Sequence, residues 1–475
     1  MDHGRREDHR NDYRPIERPL AATENEQPMK ILRYIFCLQC IVAPCALVSA
    51  ADTLAIKGAK IVTLAGDPIE NGVIVIRDGK IEAVGANVSI PIEAHVIDAT
   101  GKVVMPGFID AHTSDGLNEA NERNEVVPFL SVVDSINPVL DYFEESRRNG
   151  VTTAAIVPGN STIIGGQAAI LKTAGQYVDD MIVKRNAGIK ISLRPASGTR
   201  MSQLARLRRE LDKAKIALEK KKSGEEAKPE AATPEAPKPA DAPKPEGTPP
   251  EGGDASAPAS ATPSATDAEN VAKGTEAMIA VIEGKLPVFL YCDTAMDVSA
   301  GKQLVEEYKL NAIFVLGRDC YKAAKLLSDR KQPVILDKNL VFWETNPRTR
   351  KDEKIILPKI YREANVPFVF QTSEGSLRST TTSSSYLWYQ AAIAVKHGTP
   401  EIDALKSLSL VPAQLLGIQD VVGSIEVGKD ADLVVLTGDP LRLSTWVDKT
   451  IIHGKVVYDK SSDQKLKRLL SPKAE

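Results

Sequence analysis

The hydrophobic and polar positions change rhythm twice along this chain. Residues 54–104 alternate with period two, the spacing that gives a strand one buried and one wet face. Ala55 to Thr63 predicts one strand, and Gly72 to Gly85 predicts a hairpin turned at Asp78-Gly79. Near the other terminus, residues 430–436 and 450–458 repeat this pattern. Each set alone is too small to bury a face, so the two together predict one small β-domain built from both ends of the chain.

Between them, short apolar runs alternate with helical stretches, the signature of a parallel α/β fold. Strands are expected at residues 151–158, 163–172, 286–291, 312–316, 334–336 and 366–371. Helices are expected at 134–149, 202–221, 268–284, 299–308 and 320–330. Eight such units close a (β/α)8 TIM-like barrel. The expected organisation is a β-sandwich part at 51–104, a barrel at 105–415, a second sandwich part at 416–460 and a tail at 461–475.

Three segments fall outside this rhythm. Residues 1–28 are polar and aperiodic, which predicts a disordered leader or a gene-model extension. Residues 29–50 place Lys30 and Arg33 before an apolar run that ends in Val48-Ser49-Ala50, a secretory signal pattern starting at Met29. It implies a secreted or periplasmic protein with no membrane association after cleavage; an uncleaved anchor is the competing reading. Residues 222–268, rich in Ala, Pro, Glu and Lys, predict a disordered insertion inside the barrel, read as a neutral spacer in preference to a recognition tail for a partner.

Composition narrows the picture further. The 475 residues are 43% apolar and 26% charged, with formal net charge −3, ordinary for a globular protein. That balance makes no electrostatic case for a nucleic-acid partner. Of five cysteines, Cys37, Cys40 and Cys45 share the apolar leader, and no spacing matches a zinc motif. Cys292 and Cys320 are read as buried free thiols in preference to a disulfide.

Candidate chemistry centres on residues 103–116, where an apolar run, Pro106-Gly107 and a second apolar run end in polar residues. Strand alternation puts Asp110, His112 and Ser114 on one face, aimed into the barrel mouth. A Ser-His-Asp relay is disfavoured, because inward residues on one strand stand about 7 Å apart. Asp115, Glu119, Glu122 and Glu125 offer oxygens for a hard cation, but a solvated loop face is the stronger reading. Lys172 and Lys190 are amine nucleophiles only if desolvated.

The run Pro106-Gly107-Phe108-Ile109-Asp110-Ala111-His112, the Gly165-Gly166-Gln167 triplet and the block Gly423 to Leu436 resemble the metal-dependent amidohydrolase superfamily, in its imidazolonepropionase-like secreted subgroup. The resemblance implies a barrel beside a terminal β-sandwich and hydrolysis of non-peptide C–N bonds with zinc or another divalent metal. It implies His-X-His on the first strand, Lys or Glu near the fourth, a His each on the fifth and sixth, and Asp on the eighth. Here His112 and Lys190 match, while Ser114, Tyr291, Leu316 and Ser373 stand at the remaining positions. The expectation is a degenerate pocket of His112, Ser114, Lys190, Tyr291, Leu316 and Ser373, with no catalytic or metal-ligand set and no cofactor. A catalytically inactive pseudoenzyme or binding protein follows, taking a small-molecule ligand at the mouth or pairing with an active paralogue or a second copy. The alternative is an active hydrolase with an atypical metal or metal-free site.

Overall fold

A computed structural model describes residues 52–223, 265–373 and 386–471. The leader, the signal pattern and nearly all of the Pro-rich insertion lie outside the described residues. The chain opens with β1 (Thr53–Ile61), β2 (Ile69–Arg77), β3 (Lys80–Gly85), β4 (His95–Asp98) and β5 (Val103–Pro106). Strands β6 (Phe108–Thr113), β7 (Val151–Ile156), β8 (Ile164–Lys172), β9 (Ile182–Ser192), β10 (Val288–Cys292), β11 (Ala312–Leu316) and β12 (Val334–Ile335) follow. Next come a hairpin, β13 (Val341–Thr345) and β14 (Asp352–Ile356), and then β15 (Phe368–Val369). The chain closes with β16 (Leu433–Leu436), β17 (Val447–Ile452) and β18 (Lys455–Asp459).

Strands from both termini join as expected, through one continuous sheet ordered β18-β17-β16-β5-β1-β2-β3, with β4 also on β1. The long strand β1 serves two partners. Leu54 to Lys57 pair with β4, and Lys60 and Ile61 pair with β5. The change happens at Gly58, whose φ of +77° bends the strand and whose missing Cβ leaves room for Thr100. The sheet wraps a core that includes Ile56, Ile61, Ile74, Ile97, Leu433 and Val435.

Strands β6 to β12 and β15 form the second eight-stranded sheet, ordered in sequence and nearly closed into a barrel. The strict (β/α)8 alternation is broken once. β8 runs antiparallel to both β7 and β9. Residues 157–163 and 173–181 are too short for the crossover a parallel pair needs, so each makes a hairpin connection. Helix 134–149 is also shorter than expected: Pro138 separates a 3₁₀ turn from the helix Asp141–Arg148. Inside the barrel, Ile109, Ala155, Ile170, Phe289, Ile313, Val315 and Val369 pack with Ala413 and Leu416 of the helix Leu410–Leu416. Cys292 and Cys320 are buried free thiols, and Cys320 Sγ donates to the Cys292 carbonyl at 3.0 Å.

One buried ion cluster ties barrel to terminal sheet. Lys172, at the end of β8, places Nζ 2.5 Å from Asp432 and 3.0 Å from Asp430, just ahead of β16. Lys172 and Asp432 are almost inaccessible to water. Cutting one partner from a buried pair strands the other charge, which costs about 3–5 kcal/mol. Lys172→Met is therefore expected to lose that much in urea unfolding, and adding Asp430→Asn and Asp432→Asn should restore part of it.

Candidate barrel-mouth site

The first barrel strand carries a bulge, and the bulge decides what faces the mouth. Asp110 pairs with Ala154 and Thr113 with Ile156, so three steps on β6 match two on β7. Ala154 and Ile156 belong to the outer layer with Phe143 and Leu171. Asp110 and Thr113 therefore face outward, while Ala111 joins the inner core and His112 turns in against Phe289, with ring centroids 6.2 Å apart. Asp110 thus does not share the face of His112, as strict alternation predicts, and the Ser-His-Asp arrangement does not form.

Asp110 closes the barrel instead. β15 and β6 share no strand pairing. The Asp110 carboxylate accepts from Thr372 N at 3.1 Å, from Thr372 Oγ1, and from the Tyr142 hydroxyl at 3.2 Å. Burial pushes the Asp110 carboxyl up to about 7, with the Thr372 hydrogen bonds pulling the other way. Backbone and side chains of Leu408 and Ser409 complete the seam: Ile109 N donates to Leu408 O at 2.8 Å, and Ser409 Oγ to Gly107 O at 2.8 Å.

At the centre, Lys190 Nζ lies 3.0 Å from His112 Nε2, and both side chains are fully buried. Lys190 also sits over the Tyr291 ring, 5.2 Å from its centroid. Lys190 makes no ion pair among the described residues. Desolvation lowers its amine to about 7, and burial followed by the Lys190 charge holds His112 well below its ordinary range. The two groups thus share a hydrogen bond, and the amine titrates near pH 7. Tyr291 donates its hydroxyl to Asp293 at 2.9 Å, and burial with that carboxylate raises its pKa.

The sequence-predicted set converges only in part. His112, Ser114 and Ser373 line one mouth cavity of about 580 Å³, with Lys190 and Tyr291 behind His112. Leu316 does not reach it. Tyr291 pairs with Val315 and Cys292 with Leu316, so Leu316 shares the outward face of Cys292 and packs in the large outer core. Gly317 is the next residue on the mouth side of β11. Of the acidic candidates, Asp115 and Glu119 line the cavity, whereas Glu125 pairs with Arg206 and Ser197. Lys172 belongs to the ion cluster with Asp430 and Asp432, and it is not a free amine.

Periodicity passed over several wall residues because they sit on loops. Arg194, Asn118, Asn121 and Asn160 all line the cavity. Arg194 is exposed, at the end of β9, and forms no ion pair among the described residues. Its place two residues after inward Ser192 was a usable signal. Among the described residues, one group of three side chains could hold a metal ion: Asp430, Asp432 and His453. It lies on the terminal sheet, and the Lys172 ammonium already occupies its carboxylates.

Comparison with known proteins supplies a family. The amidohydrolase family profile matches residues 353–457. An amidohydrolase, tasK, of Hapsidospora irregularis is 29% identical over 116 residues, covering 22% of this chain and 11% of that protein. An imidazolonepropionase of Streptomyces griseus is 26% identical over 132 residues, covering 24% and 34%. The chain thus spans about a third or less of the length of these curated relatives. The crystal structure of an amidohydrolase from Thermotoga maritima superposes with TM-score 0.67 at 26% identity, covering 86% of this chain and all of that one.

The buried amine sets a pH signature. Between about 7 and 10.5 the unfolded chain binds a proton at Lys190 that the folded chain does not, so folding gains about 1.4 kcal/mol per pH unit. Lys190→Met is expected to remove this rise in urea unfolding measured from pH 7 to 10. Asp110 acts oppositely: between 3.8 and about 7 the folded chain holds the extra proton, so its contribution falls as pH rises. Asp110→Asn should flatten that fall.

Proposed function

The chain belongs to the amidohydrolase superfamily, and from that premise we propose that it binds a small zwitterion at the barrel mouth and does not carry out metal-dependent C–N hydrolysis. The observation that carries this reading is the His112–Lys190 contact. A catalytic divalent ion needs three or more protein donors with an open position for water. The donors around the mouth do not fit one: His112 Nε2, the nitrogen on the Lys190 side, is 3.0 Å from an amine. Among the described residues no second imidazole lines the mouth, and the Tyr291 hydroxyl is committed to Asp293. Ser114 and Ser373 offer only neutral hydroxyls, which are poor ligands for zinc.

What remains suits recognition. Arg194 presents a planar fork matched to a carboxylate. Glu119 places negative charge in the same wall, matched to an ammonium group. Asn118, Asn121 and Asn160 supply amides between them. A cavity of about 580 Å³ holds a molecule of dipeptide size.

The test uses purified full-length protein. Metal analysis after dialysis is expected to find far less than one transition-metal ion per chain. Calorimetry with L-alanyl-L-alanine is expected to show one-site binding, weakened about tenfold or more by Arg194→Ala, as for loss of a charge-assisted pair. Stoichiometric zinc, with dipeptide hydrolysis abolished by a chelator, would overturn the proposal.

A further inference from the structure

A second cavity, of about 480 Å³, opens on the outer flank of the molecule and shares no lining residue with the mouth. Four parts of the fold enclose it: Phe108 at the start of β6, the helix Asp141–Arg148, the start of the helix Leu387–Lys396, and the terminal block from β16 to the helix Gln464–Leu470. Its walls are aromatic. Tyr386 and Trp388 stack in parallel, 5.9 Å apart with planes 8° from one another, and Trp446 and Tyr458 add to the same hollow. Leu443, Trp446 and Leu469 form an apolar rim, 68%, 49% and 81% exposed.

The charged groups in this wall are already partnered, Lys465 with Glu144 at 3.2 Å among them. Arg148 binds Asp463 at 2.8 Å and also Glu144 and Glu145, and the Tyr458 hydroxyl donates to Asp463 at 3.0 Å. Asn149 donates to Glu145 O at 2.8 Å, and Thr445 to Asp439 O at 2.6 Å. One face of Trp446 is taken by Lys460 Nζ, 4.8 Å from the ring centroid, which disfavours a second cation there. A guest therefore meets aromatic faces and leucine side chains with no charge left to neutralise. The shape argues against a second copy of the chain as the guest. A two-fold contact sets the same patch against itself, and two hollows leave each other unfilled.

We infer that this flank cavity is a binding site for a neutral, flat, ring-bearing hydrophobic molecule, independent of the ligand at the mouth. Apolar lining with few polar groups and a volume of this size is the ordinary make-up of a small-molecule pocket. Stacking against Trp388 and Trp446 supplies the contact a planar guest gains most from.

The probe is 1-aminoanthracene, a neutral tricyclic fluorophore, titrated into full-length protein. Two of the three tryptophans line the cavity, so their emission should be quenched as probe fluorescence rises. The expected result is saturable one-site binding in the micromolar range, unaffected by saturating L-alanyl-L-alanine. Leu443→Glu with Leu469→Glu, both at exposed positions, should weaken it about tenfold or more with an unchanged melting transition. Unsaturable binding, or equal affinity in the double variant, would overturn the inference. So would a sedimenting dimer that the double variant dissociates, since the face would then belong to a second copy.

Discussion

The barrel is held shut by a carboxylate where a strand pair is missing. β15 is only two residues long and does not reach β6 with backbone hydrogen bonds. Asp110 spans the gap by accepting from both donors of Thr372, while Tyr142 fixes its other side from the following helix. That role requires Asp110 to point away from the barrel axis. The extra residue in β6 makes this possible and at the same time swings His112 inward. Closure of the fold and orientation of the one inward imidazole on β6 thus come from a single local irregularity.

Two buried lysines show how surroundings set chemistry. Lys172 lies between Asp430 and Asp432, and its charge is matched where barrel meets sheet. Lys190 is equally buried, but its nearest polar neighbour is an imidazole. Taking an ammonium out of water without a counter-charge is costly, so the proton leaves more easily and the amine titrates near neutrality. The same residue type, on adjacent strands of one sheet, serves as a structural cation in one place and as an amine that titrates near pH 7 in the other.

Much of the fold was legible in the sequence, because period-two and α/β rhythms survive in any chain that buries these faces. The union of the two termini followed from strand patterns too small to stand alone, and the block 423–436 does lead into β16. The site was legible less evenly. Counting by twos along β6 fails at a bulge, which leaves no mark in residue types, so Asp110 was placed on the wrong face. Leu316 was misplaced by one residue, and one residue turns a side chain to the other surface of a strand. Arg194 continues the period of β9 two residues past Ser192, whereas the asparagines sit on loops, where no periodicity exists to read.

The bridge from Lys172 to Asp432 joins residues 260 positions apart. A ribosome releases β1 to β5 and half of the barrel long before β16 to β18 exist. Until then β5 lacks its neighbour β16, and the ammonium of Lys172 has no anion to meet. The nascent chain must therefore wait with an open sheet edge and an unmatched charge, and tertiary structure near the first barrel strands is completed only when the last residues emerge. For this molecule the first strands are completed by the last ones to be synthesised.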